Sequence, residues 1–420
     1  MSEAEARPQD DGDNSAGSGA SGRVAAVSWD AFLSTYLPAL VLAIGTGIAL
    51  PAVPTLAKSF GVSFGVASGV VTAFVLGNVA GTIPSGWLID RFGRRVVLIA
   101  GPLLTSAVAL MVAFAHSFPE LLILRFIGGC AAQMWIMARL AAISHGAAPA
   151  QRGRLVSWMF GMDGTGRLAG PILGGFIASA WGSRAPFVAY AMLALIALIP
   201  TSAFAEDTPR RDQGARSKRR EARALSLRQI VMPRLVYFAV ALFAGLTRGP
   251  IQADLLHLYA AYAYQLGPKE ISYLATAGAM LSWPIGFLSG WSMDRFGRKR
   301  TMVPGFAGVT IAMAALALSA FAHLSLAWYV ALFLIGVALQ ALTGGSIQTV
   351  GTDVAPPEAR GTFLGIWRFT GQGGTALSPI IFALLADEVS YGSSFLFTAA
   401  SAAVVAFLLI RHVPETRKAE

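Results

Sequence analysis

The chain has 420 residues, of which 55% are apolar and only 13% charged, and its mean hydropathy is +0.61. Soluble domains carry about 25% charged residues. Here, stretches such as Val96 to Ala115 and Trp328 to Leu339 carry none, which excludes a soluble fold and implies a protein that crosses a membrane many times.

The net charge of +10 loses its apparent link to nucleic acid once it is located. Much of it lies in Arg210, Arg211, Arg216, Lys218, Arg219, Arg220, Arg223 and Arg228, and in short loops, where basic residues mark the cytoplasmic side. No nucleic-acid partner is expected. Cys130 is the single cysteine, so neither an intramolecular disulfide nor a cysteine metal cluster is available.

In chain order, residues 1–28 open acidic and Gly/Ser-rich and read as a disordered cytoplasmic tail rather than a signal peptide. Six apolar runs follow, near 30–56, 66–89, 95–115, 119–147, 154–181 and 185–205. After a basic linker, 206–232, six more lie near 233–263, 269–292, 301–322, 325–350, 360–386 and 392–412. A spanning helix needs about 20 mostly apolar residues. The expectation is therefore an all-α polytopic membrane protein with twelve transmembrane helices, spans 1 to 12, in two pseudo-symmetric six-helix bundles, 29–205 and 233–413, and a short tail, 414–420. The loops after spans 2, 4, 8 and 10 hold Arg91, Arg94, Arg95, Arg152, Arg154, Arg295, Arg298, Lys299, Arg300 and Arg360, whereas the opposite loops hold little beyond Lys58, Arg184 and Lys269. Both termini are accordingly expected in the cytoplasm, at the plasma (inner) membrane.

Two sequence repeats support the two halves. Gly86-Trp87-Leu88-Ile89-Asp90-Arg91-Phe92-Gly93-Arg94-Arg95 returns as Gly290-Trp291-Ser292-Met293-Asp294-Arg295-Phe296-Gly297-Arg298-Lys299. Pro149-Ala150-Gln151-Arg152-Gly153 returns as Pro357-Glu358-Ala359-Arg360-Gly361. In the first repeat, glycine permits a tight turn and close helix approach. A carboxylate such as Asp90 suits a helix N-terminus, and the arginines suit carboxylates or terminal carbonyls.

This doubled hinge resembles the Gly-x-Leu-x-Asp-Arg-x-Gly-Arg-Arg signature of the major facilitator superfamily of secondary transporters, and the six-plus-six layout agrees over residues 29 to about 413. Ser292 stands where that signature has leucine. The resemblance implies a latch between bundles, closing the cytoplasmic side in the outward-open state, made by Gly86, Asp90, Arg91, Arg94 and Arg95 and by Gly290, Asp294, Arg295 and Arg298. On span 5, Gly166, Gly170, Pro171, Gly174 and Gly175 look like a motif of the proton-coupled drug antiporters of that superfamily. Small residues four apart also serve plain helix packing. Arg125 begins an Arg-x-x-x-Gly sequence on span 4 that resembles one linked to proton movement in the same antiporters; a snorkelling arginine is the plainer reading. Unlike many of those relatives, span 1 carries no embedded carboxylate, and Asp30 lies only at its start.

Ionisable residues within spans are costly and mark functional sites. Arg139, Arg167, Arg248 and Arg368 form a positive set, balanced in part by Asp163, Asp254 and His257. Asp163 stands one turn from Arg167 and is the expected partner of that residue. Arginine favours carboxylate and phosphate, so the surplus suggests an anionic or zwitterionic substrate. Gln133, Trp135, Gln340 and Trp367 are further candidates to line the pocket, with Gln348 and Gln372. Asp163, Asp254, His257 and Arg125 are the candidates for proton coupling.

The chain lacks a Gly-x-x-x-x-Gly-Lys-[Ser/Thr] sequence for ATP; no enzyme activity and no cofactor or metal is expected. The expected function is secondary active transport of a small organic solute by alternating access: proton-driven export of an amphipathic or anionic compound by a monomer in the lipid bilayer. The alternatives are proton-coupled uptake of an organic anion or sugar acid, or a receptor-like scaffold that does not transport.

Overall fold

The computed structural model describes residues 36–146, 149–204, 231–252, 254–356 and 359–415. The expected N-terminal tail, nearly all of the basic linker and the end of the C-terminal tail lie outside these residues. The side chains of Arg152, Arg154, Asp294 and Arg360 are also outside what is described.

Among the described residues the structure is all helix, with no strand. This follows from the solvent: hydrocarbon offers backbone groups no hydrogen-bond partner, so each segment must satisfy its own. Eleven spans are long and apolar enough to cross a membrane. Span 5, Pro149–Trp181, is the longest helix at 33 residues; Asp163, Arg167 and its glycines dilute its apolar content, and it packs among the other eleven.

Three spans predicted as continuous are interrupted. Span 1 is split into Leu37–Ala49 and Ala52–Lys58 at Pro51, whose ring removes an amide donor. Span 7 is split into Leu235–Gln252 and Leu255–Ala263, with Asp254 at φ 58° in the left-handed region. Span 10 is split into Leu326–Leu342 and Ser346–Val354, with Gly345 at φ 77°. Spans 1 and 7 occupy corresponding places in the two halves, so the first two interruptions are related by the internal repeat.

The halves also repeat their closest helix contact. In the first, span 5 lies against span 1: a Cβ on Gly170 would stand 2.6 Å from Gly47 Cα, and one on Gly166 or Gly174 would strike Ala43 or Ile48. In the second, span 11, Arg360–Glu388, lies against span 7. A Cβ on Gly249 would stand 2.6 Å from Ser378 Cβ, and one on Gly374 3.2 Å from Gly245 Cα. Only residues without bulk allow such approach, which lets dispersion and interhelical hydrogen bonds replace the missing hydrophobic drive in lipid. Ser378 Oγ adds one such bond, donating to Leu246 O at 2.6 Å.

The bundles meet through spans 2 and 11 and through spans 5 and 8. Span 2 is Phe64–Phe92 and span 8 is Pro268–Phe296. The named contacts lie from mid-span to the end remote from the basic loops. Gly175 packs on Ser272 there, and Gly164 on the Trp283 indole nearer the middle. At the basic end, Arg95 donates to Ser202 O at 3.3 Å and Arg298 pairs with Asp353 at 3.3 Å, both within their own bundle.

Candidate functional site

An ion pair between a buried arginine and a partly buried carboxylate, Asp163 being 21% exposed, anchors the first bundle. Arg139 on span 4, Phe118–Gly146, is 2% exposed and grips Asp163 with both terminal nitrogens, each at 3.0 Å. Its guanidinium also lies 5.2 Å from the Trp135 ring. This corrects the expected Asp163–Arg167 pair. A two-pronged guanidinium bond is stronger than a staggered contact along one helix. A buried Arg139 also requires a carboxylate, whereas an exposed Arg167 does not. Sequence spacing detects the neighbour on the same helix and is blind to the one arriving from another.

Arg167 is therefore left to do something else. On span 5, Gly166, Gly170 and Gly174 face span 1, Asp163 faces span 4, and Gly164 and Gly175 face span 8. At 3.6 residues per turn, Arg167 projects between those faces, into the space flanked by the two bundles. Thr165, Ala169, Ile172 and Phe176 occupy the opposite, outward side and are exposed.

Arg248 lies on span 7, in the second bundle. Gly245 and Gly249 on span 7 make the contacts that Ala43 and Gly47 make on span 1, so Arg248 takes the place of Thr46, whose hydroxyl donates to the Tyr190 hydroxyl at 3.2 Å. Arg248 Nε is buried without a hydrogen-bond partner among the described residues. Such a group carries a full desolvation cost, which a bound anion would relieve.

Near the span 7 interruption, Asp254 Oδ1 stands 3.4 Å from His257 Nδ1, and both ring nitrogens of this buried histidine lack a hydrogen bond among the described residues. Arg125 lies 4.5 Å from the Phe74 ring, donates weakly to Val70 O at 3.4 Å, and borders a cavity of about 30 Å³, room for a single water, together with Thr105 and Tyr190. Of the four proposed coupling residues, Asp163 is inside an ion pair, Asp254 and His257 adjoin the span 7 interruption, and Arg125 lies near the start of span 4.

Several expected pocket residues sit elsewhere. Trp135 is 5% exposed and packs on Gly101 and Ala194, inside the first bundle. Trp367 is 1% exposed, stacked on Phe363 with 5.9 Å between ring centroids. Both are core side chains, where large aromatics bury the most area. Gln340 is buried at the span 10 interruption; its Nε2 donates to Thr343 Oγ1 at 2.9 Å, and its Oε1 has no partner among the described residues. Gln133 is half-buried and Arg368 exposed.

The hinge glycines also differ from expectation. A Cβ on Gly86 or Gly290 would meet nothing within 4 Å, so neither supports close helix approach in this arrangement. The hinge requires glycine at Gly93 and Gly297, with φ 88° and 104° and ψ 160° at both, a region essentially reserved for glycine. Arg91 and Arg295 repeat one another, each over the tryptophan four residues before it, Trp87 at 5.7 Å and Trp291 at 5.3 Å.

Sequence reasoning did not single out Phe64, Asp387 or Trp283, all at contacts between bundles. Ser63 as the cap of span 2 was the one local signal near the first of these.

Two helix bundles with interrupted spans and buried charged side chains make a polytopic membrane protein. The model of the Major Facilitator Superfamily matches residues 36–373 and 255–420, and the chain belongs to that family of transporters. It is 27% identical to the tetracycline resistance protein, class B, of Escherichia coli over 357 residues, 82% of this chain and 86% of that one. It is 25% identical to the quinolone resistance protein NorA of Staphylococcus aureus (strain MRSA252) over 248 residues, spanning 58% of this chain and 62% of the relative. Among solved structures it resembles a D-xylose-proton symporter, with TM-score 0.75 and 20% identity over 92% of this chain and 98% of that one. It also resembles a bacterial homologue of the lysosomal transporter Spinster, with TM-score 0.67 and 16% identity over 92% and 96%.

Proposed function

We propose that this transporter exports an anionic or amphipathic organic compound in exchange for protons, with its basic loops and both termini in the cytoplasm. The carrying observation is the buried Arg248 Nε, which has no hydrogen-bond partner among the described residues; in the other half, helical register turns Arg167 toward the gap between the span 1 and span 8 faces of span 5. Guanidinium groups select carboxylate or phosphate by fork geometry, and a substrate spanning both would engage the two bodies that must rock relative to one another. The drug-resistance names of the two relatives support the outward direction. Asp254 and His257 are the place for the proton, since a carboxylate and an imidazole change charge as a proton arrives.

The test is thermal stabilisation of the purified protein by aryl carboxylates, alkyl phosphonates and quaternary ammonium ions, since a ligand of the folded state raises its stability. Anions should stabilise wild type, and Arg248→Gln should weaken their binding about tenfold, the loss of one charge-assisted bond. Preferential stabilisation by the cations, or an unchanged anion response in Arg248→Gln, overturns the reading. In proteoliposomes, accumulation of the best anion driven by a pH gradient should vanish in Asp254→Asn while exchange without a gradient persists.

A further inference from the structure

The end of the molecule remote from the basic loops holds a contact between bundles built from the cap of span 2 and its first two residues. Ser63, Phe64 and Gly65 all dock on the second bundle. Ser63 Oγ donates to Asp387 Oδ2 at 2.5 Å, and Gly65 N donates to Asp387 Oδ1 at 2.8 Å. Asp387 belongs to the last turn of span 11. One carboxylate therefore receives both donors from the N-terminus of a helix in the other bundle, where the helix dipole favours negative charge.

Phe64 lies between those two donors. It is 2% exposed although it starts a helix. Its ring sits 5.8 Å from Tyr262 on span 7, 6.3 Å from Phe382 on span 11 and 5.1 Å from Tyr391 on span 12. A residue of the first bundle is thus buried in an aromatic socket made entirely by the second. Two nearby bonds join the same bodies: Tyr262 hydroxyl donates to Val62 O at 3.1 Å, and Lys58 Nζ donates to Ala261 O at 3.1 Å and to Gln265.

We infer that Phe64 and Asp387 are the gate of the non-basic end: a ring held in a socket and locked by a carboxylate, which must separate each time the substrate path opens on that side. Alternating access requires one contact set that closes this end and is absent in the other state. A contact joining only two rigid bodies, with its donors and its ring on a single half-turn, separates as a unit when the bodies rock. Gly65 is part of the device, because a Cβ there would strike the Asp387 carboxylate. The inference is independent of what is carried and in which direction.

The test uses the full chain with Cys130→Ser and a reporter, Val71→Cys. Val71 lies two turns from Phe64 on the same face of span 2 and is 6% exposed. The probe is a charged, membrane-impermeant maleimide, applied to purified protein in nanodiscs so that both sides are reached. Asp387→Asn and Phe64→Ala should each raise the reporter's labelling rate about tenfold, a population shift equivalent to about 1.4 kcal/mol. Gly65→Ala should do the same by a different route, through displacement of the carboxylate. A far-ultraviolet melting curve shows whether each variant is folded. Folded variants that label at the parental rate overturn the gate; a folded Phe64→Leu, which keeps an apolar plug, should label at an intermediate rate.

Discussion

The seam between spans 1 and 5 and the seam between spans 7 and 11 are the same structure twice, yet they serve different electrostatics. In both, glycines bring two backbones within contact of each other. Beside the first seam lies a closed ion pair, Arg139 with Asp163. The residue of span 11 in register with Asp163 through the 149–357 repeat is Gly371, and the second half instead carries an Arg248 Nε without a hydrogen-bond partner among the described residues and an interrupted helix with Asp254 and His257. The repeat preserves what helix packing requires, and chemistry departs where packing leaves a choice. The departures are accordingly where function is to be sought, and the way to sharpen this is to disturb matched positions in the two halves.

The largest expected effect is on the closed pair. Asp163→Ala leaves a guanidinium buried without its carboxylate and should destabilise the protein by about 3 kcal/mol or more. Arg167→Gln, on an exposed side chain four residues away, should change stability by less than about 0.5 kcal/mol. Thermal unfolding in detergent distinguishes them; similar losses would mean that Arg167 shares in the pair.

The next comparison sets the glycines against one another. Gly93→Ala and Gly297→Ala place a side chain in a backbone region that is all but closed to it, at about 1–3 kcal/mol each. Gly86→Ala and Gly290→Ala meet open space within helices, where alanine is favoured by about 1 kcal/mol. Stability should therefore fall in the first pair and hold or rise in the second. If Gly86→Ala slows transport of a verified substrate without destabilising the protein, that glycine acts in the other conformation, as the superfamily's latch implies.

The architecture was readable because its signals are long. Twenty-residue apolar runs and a ten-residue repeat report the bilayer and the duplication directly. The interruptions were less readable. Pro51 and the Gly344-Gly345 pair were visible as breakers, but a hydropathy average runs straight through them, and Asp254 reads as polar without announcing its left-handed backbone. The site was legible in its inventory and not in its pairing. Arg139, Asp163, Arg167 and Arg248 stood out as costly charges; which of them meet is decided by the crossing of spans 4 and 5, and helical spacing contains nothing about that. The Phe64 socket was hidden for a similar reason. A phenylalanine beginning an apolar span looks like any other until three helices of the other bundle converge on it.

The smallest expected effect concerns the tail after span 12. Glu415 accepts from the amides of Arg298 and Lys299, at 2.8 and 3.2 Å, and so caps the start of span 9. It ties the C-terminal tail to the second hinge, beside the Arg298–Asp353 pair. An exposed carboxylate at a helix N-terminus contributes about 0.3–1 kcal/mol at low ionic strength, and salt screens it. Glu415→Gln should lower the melting temperature slightly in dilute buffer and very little in 1 M salt. The contrast with Asp163→Ala is then one of dielectric: with Arg139 2% and Asp163 21% exposed, the loss in this variant should depend on salt much less than the loss of the exposed cap. Equal salt sensitivity in the two variants would show that Arg139 and Asp163 are reached by water and are not the closed pair that distinguishes the first bundle from the second.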